Sequence, residues 1–130
     1  MENQLKMNNI IDLTYLRETT EDNLEIMIEL IEIFLEQYPE SNNKVINAFT
    51  NMNITALSEA AHSLKSSLRI VGIIDIAEKM AILENYCRKN TNHSEFKELV
   101  DYYRNNIDKF IIQLEKQLDD FKAQLVVSGQ

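Results

Sequence analysis

The residues with chemistry in them gather in one stretch, "EAAHSLKSSLRIVG", residues 59–72. His62 is followed by Lys65 and Ser66 at three and four residues, and preceded by Ser58 at four. An imidazole can act as a general base, ligate a metal, carry a transferred group or simply be a polar side chain. The spacing around it helps to choose. Within residues 54–71 the apolar residues Leu57, Ala61, Leu64, Leu68 and Val71 recur at helical intervals. That stripe belongs to an amphipathic helix and must face a core. His62 is turned about 100° beyond Ala61, which puts it at the edge of the stripe or outside it. Its neighbours on the helix surface are Ser58, Glu59, Lys65 and Ser66, with Arg69 continuing the row.

Each chemistry then needs partners. Glu59 and His62 form a Glu-x-x-His pair of the kind found in di-iron bundles, but such a site takes a second pair on another helix. The other histidine, His93, is preceded three residues earlier by Asn90 and lies in the polar segment "NTNHS", read as a solvated connection. A hydrolytic site would want a nucleophile, an orienting acid and an oxyanion hole in a concave pocket. Ser58 and Ser66 are only helix neighbours on a convex face. Phosphoryl transfer asks for less. A neutral imidazole nitrogen attacks phosphorus and holds the group covalently, and Lys65 offsets charge on the phosphoryl oxygens. Positioning and charge neutralisation dominate that reaction, so a bare helix face suffices if a partner brings the rest. An uncommitted surface histidine is the plain alternative.

The elements that position this stretch follow from composition. Two glycines and one proline in 130 residues leave room for few tight turns, so the chain reads as a few long helices. "TTEDN" offers N-caps before "LEIMIELIEIFLEQY", where Leu24, Met27, Ile28, Ile31, Phe34, Leu35 and Tyr38 share one face. Pro39 is expected to end that helix and open a short second one with Val45, Ala48, Phe49 and Met52 inward. Asn53 is a candidate N-cap for the histidine helix, and Gly72 suits its left-handed C-cap. A further helix places Ile73, Ile76, Ala77, Met80, Leu83 and Tyr86 or Cys87 inward. The last and longest carries Phe96, Leu99, Val100, Tyr103, Ile107, Phe110, Leu114, Leu118 and Phe121. The expected fold is all-α, an up-down four-helix bundle with an N-terminal helical extension. One domain is expected over residues 1–130, with the extension at about 1–20 and the bundle at about 21–126.

A net charge of −8 argues against nucleic acid or an anionic membrane as partner. A single cysteine, Cys87, forms no internal disulfide and reads as a small core residue. No uninterrupted apolar segment at the N-terminus suggests a signal peptide, and no run is long enough to span a membrane. These features favour a cytoplasmic, monomeric protein. The initial methionine and the lack of a linker lean towards a free-standing chain.

"AHSLKSSLRIVG", with a later Leu-Glu, resembles the histidine-containing phosphotransfer (HPt) domain family. The family pattern is roughly A-H-x-L-K-[GS]-S-x-x-x-x-G, met here by Ala61, His62, Leu64, Lys65, Ser66, Ser67 and Gly72, then by Leu83 and Glu84. "DLTYLRE…FLEQYPE" is similar to the family's entry. Where the family often has glycine after the lysine, this chain has Ser66. The resemblance implies a phosphorelay intermediate whose His62 accepts a phosphoryl group from a receiver-domain aspartate and passes it to another receiver. It implies no catalytic activity of its own and no resident cofactor, Mg²⁺ being held by the receiver. Partners would be response-regulator receiver domains and a hybrid sensor histidine kinase. A docking surface around the histidine would draw on Ser58, Ser66, Arg69, Glu84, Arg88, Leu13, Leu16 and Ile70. A helical adaptor that binds the same partners without carrying phosphate is the alternative.

Overall fold

The structure is a computed structural model that describes residues 9–89 and 93–129, residue 93 by its backbone only. Among the described residues five helices follow one another: α1 (Thr14–Thr20), α2 (Leu24–Thr50), α3 (Ile54–Ile70), α4 (Ile74–Arg88) and α5 (His93–Val127). Helices α2 to α5 form an up-down four-helix bundle in which each packs on its two ring neighbours, and α1 lies against α2 and α3. This is the all-α bundle with a helical extension that the periodicity implies. Residues 1–8 of the expected extension lie outside the described residues.

Pro39 corrects one expectation. It does not end a helix; it lies inside α2, which runs unbroken for 27 residues. A proline in a helix interior removes one hydrogen bond and costs about 3 kcal/mol. Continuity has a compensating gain. The rhythm of buried positions Ile31, Phe34, Val45 and Ala48 keeps one phase across the proline, and burying a side chain such as Phe or Val contributes about 1.5–3 kcal/mol. Tyr38 and Asn42, on either side of Pro39, also meet α5: the Tyr38 and Tyr103 hydroxyls are 2.9 Å apart, and Tyr103 donates to Asn42 Oδ1 at 2.5 Å. Met52, expected inward, is exposed in the α2–α3 turn with a left-handed φ of 52°.

The caps hold the histidine helix in place. Asn53 Oδ1 accepts from the Ala56 N–H at 3.1 Å at its start. At its end Ile73 N–H donates to Leu68 O at 2.9 Å and Gly72 N–H to Arg69 O at 3.3 Å, the paired bonds of a Schellman motif. Gly72 has φ +85°, and a Cβ there would meet the Asp12 carbonyl oxygen at 2.1 Å. The position therefore excludes side chains twice, by its dihedral and by the extension's backbone, whose Asp12 N–H donates to Gly72 O at 2.8 Å.

Helices α2 and α5 are far longer than α3 and α4, about 40 and 52 Å against about 26 and 22 Å. Their free ends would stand uncovered where α3 turns into α4. The extension fills that space: Ile11 N–H donates to Gln113 Oε1 at 2.9 Å, Leu16 is wholly buried, and Arg17 lies over the Phe121 ring. Helix α5 begins at His93, inside the segment expected to be a connection, whose residues 90–92 lie outside the described set. Among the described residues no helix is long and apolar enough to cross a membrane.

Candidate functional site

The middle of α3 buries Leu57, Ala61, Leu64 and Leu68 and turns the neighbouring row outward. His62 stands on that row with 57% of its side chain exposed. Opposite it on α4 is Glu84, only 5% exposed, and the two helices meet at this pair. His62 Nδ1 lies 2.9 Å from Glu84 Oε2, Lys65 Nζ donates to Glu84 Oε1 at 2.8 Å, and Arg88 Nη2 donates to Glu84 Oε2 at 2.5 Å. One buried carboxylate thus holds three side chains. Burial works against its charge, but the hydrogen bond and charge of Lys65, then Arg88 and His62, outweigh it and hold the carboxyl below its ordinary value.

An ionised carboxylate can only accept a hydrogen bond, so the proton of a neutral His62 belongs on Nδ1. The Nε2 lone pair is then left on the exposed side of the ring. That is the tautomer a nucleophile needs, set by a neighbour that also stabilises positive charge on the ring. Lys65 is anchored beside it with 16% of its side chain exposed. Arg88, 67% exposed, lies on the outer side of the same carboxylate. Among the described residues no group of three or more His, Cys, Asp or Glu side chains is placed to hold a metal ion; the acid beside His62 is Glu84, across the helix pair, rather than the sequence neighbour Glu59.

The remaining residues named from the sequence separate. Ser66, exposed, bonds back to its own helix, Oγ donating to the His62 carbonyl at 3.2 Å. Ser58 is partly buried one turn before His62. Arg69 and Ile70 line an open hollow with Tyr15, Ser66 and Ile74, next to the histidine along α3. Two expectations are corrected. Leu16 is fully buried in the core and presents nothing to a partner; Tyr15, 52% exposed, is the α1 residue that lines the hollow. Glu84 is an internal anchor and not a surface contact. Leu13 is partly buried against the core.

Tyr15 and Ile74 were not among the residues the sequence singled out. A seven-residue helix carries too few apolar positions to fix which of Tyr15 and Leu16 turns inward, and Ile74 opens α4 directly after the Gly72 turn. Glu84 did leave a signal: it falls four residues after Met80 and three before Cys87, on the buried stripe of α4.

The site is thus a helical bundle that presents an accessible imidazole, with a carboxylate behind it and a lysine beside it. The family model of the Hpt domain matches residues 29–124, most of the chain, and the protein belongs to that family. Hpt domains are helical phosphotransfer modules that work with receiver domains in two-component signalling. No curated protein and no solved structure matches the chain.

Proposed function

We propose that this protein is a phosphorelay intermediate in which His62 Nε2 takes a phosphoryl group from the aspartate of one receiver domain and passes it to another. The observation that carries the reading is the Glu84 carboxylate on His62 Nδ1. In the transfer, the Nε2 lone pair forms the N–P bond as the P–O bond to the aspartyl oxygen breaks, and the aspartate leaves as a carboxylate. Proton balance is kept within the ring: Nδ1 retains its hydrogen and the positive charge gained is faced by Glu84. The phosphoryl group arrives with negative charge spread over three terminal oxygens, which Lys65 and Arg88 offset.

The chain carries the group and does not catalyse a reaction alone; the receiver supplies the acidic pocket and its Mg²⁺. Lys65, Arg69 and Arg88 make the surroundings of His62 basic in a chain of net charge −8, which suits approach of that pocket. The hollow of Tyr15, Ile70 and Ile74 seats the receiver's apolar contact, with Arg69 and Ser66 at its edge. The protein acts as a monomer in the cytoplasm, between a hybrid sensor histidine kinase and its response regulators.

Incubation with a phosphorylated receiver and Mg²⁺ tests this. The wild type is expected to gain acid-labile, base-stable phosphate up to one per chain, and His62→Gln none. Equal phosphate on both would overturn it, leaving a docking adaptor.

A further inference from the structure

Two hydroxyls flank His62, one turn before it and one turn after, and they are used differently. Ser66 Oγ is committed to the His62 carbonyl at 3.2 Å. Ser58, partly buried, has a hydroxyl with no hydrogen-bond partner among the described residues, whereas Glu84 is engaged by three side chains, Lys65 and Arg88 among them. Residues four apart on a helix are neighbours, about 5–6 Å between Cβ atoms. Helical side chains also lean towards the N-terminus, so a ring at position 62 covers the turn that Ser58 occupies. By helical phase Ser58, Lys65 and Arg69 lie on the same side of His62, the side that faces Glu84 and α4.

We propose that the Ser58 hydroxyl is a positioning group for the phosphorylated state: it donates a hydrogen bond to an oxygen of the phosphoryl group on His62 Nε2. This rests on the carrier reading and goes beyond it. A phosphoryl group has three terminal oxygens, and two of the cations beside His62, Lys65 and Arg88, are already shared with Glu84. Ser58 is, among the described residues, an uncommitted hydroxyl on that flank, one turn before His62. Its bond holds the group still and opposes attack by water, while transfer to a receiver, whose Mg²⁺ pulls harder on the same oxygens, remains open. No bond is made or broken by Ser58 itself. The serine keeps its proton throughout.

The test is the lifetime of the phosphorylated full chain, loaded by phosphoramidate as a small phosphoryl donor and then freed of it. A net hydrogen bond of ordinary strength corresponds to a roughly three- to tenfold change in rate. Ser58→Ala is therefore expected to lose its phosphate roughly three- to tenfold faster than wild type, with an altered ³¹P shift. Ser58→Thr, which keeps the hydroxyl, should restore the lifetime, and Ser66→Ala should leave it unchanged. Alanine is favoured in a helix, so the variant keeps the fold. A Ser58→Ala lifetime equal to wild type, or a threonine that fails to restore it, overturns this proposal alone. If the wild type takes up no phosphate on His62, the carrier reading falls and this proposal with it.

Discussion

Two polar clusters interrupt the apolar interior of the bundle, and they are built on opposite logic. At the α2–α5 seam, Tyr38, Tyr103 and Asn42 bond to one another. That cluster is neutral and closed; burial first, then the bond to Tyr38, pushes the Tyr103 hydroxyl well above its ordinary value. At the α3–α4 seam, Glu84 is charged and gathers two cations and an imidazole. It is buried, yet its partners His62 and Arg88 reach solvent. The first cluster satisfies polar atoms that the packing enclosed. The second brings a fixed negative charge to the back of an exposed imidazole. The neutral and the charged cluster thus sit on different pairs of helices.

Substitutions should pull the two apart. The largest effect falls on phosphate capture: His62→Gln is expected to abolish it while leaving the thermal midpoint near that of wild type, since the side chain is mostly exposed. Loss of fold in that variant would show that the seam is structural after all. Lys65→Ala should slow transfer from a phosphorylated receiver on the order of tenfold, the worth of one charge-assisted hydrogen bond, with circular dichroism unchanged. An unaltered rate would remove lysine from the account. On the neutral side, Tyr103→Phe leaves Asn42 and Tyr38 without their shared partner and should cost about 1–2 kcal/mol in denaturant unfolding. Its phosphate uptake should equal the wild type's; a drop would mean that the two seams are coupled.

The smallest effect is one of pH. The Glu84 carboxyl titrates below its ordinary 4.5 in the folded chain, so its contribution to stability is present above that value and is lost as pH falls through the lower, folded one. Between about pH 5 and about pH 3 the wild type should therefore lose more stability than Glu84→Gln, measured by urea unfolding at each pH. Parallel loss in the two proteins would contradict the anchoring role of the carboxylate.

Much of this was legible in the sequence, because it depends on period and on single decisive residues. The stripe from Leu57 to Leu68 placed His62 outside the core, Asn53 marked the start of its helix and Gly72 the end. What escaped reading depends on partners distant in the chain. Pro39 is a strong local stop signal, and only the phase shared by Phe34 and Val45, with α5 to pack against, reveals an unbroken α2. Leu16 and Tyr15 are adjacent, and which of them turns inward is decided by the bundle core that Leu16 joins, built from residues distant in the chain. Glu84 was visible as an acid beside a leucine. Its burial against Lys65 and His62 exists only once α3 and α4 are side by side.

The proposed transfer requires that Glu84 keep the His62 proton on Nδ1 and leave Nε2 to bond phosphorus. Long-range ¹H–¹⁵N spectra of the histidine-labelled chain, before and after phosphorylation, test it directly. The account predicts a neutral ring protonated at Nδ1 that becomes phosphorylated at Nε2, a pattern that Glu84→Gln weakens. A ring protonated at Nε2, or phosphorus bonded to Nδ1, would contradict it.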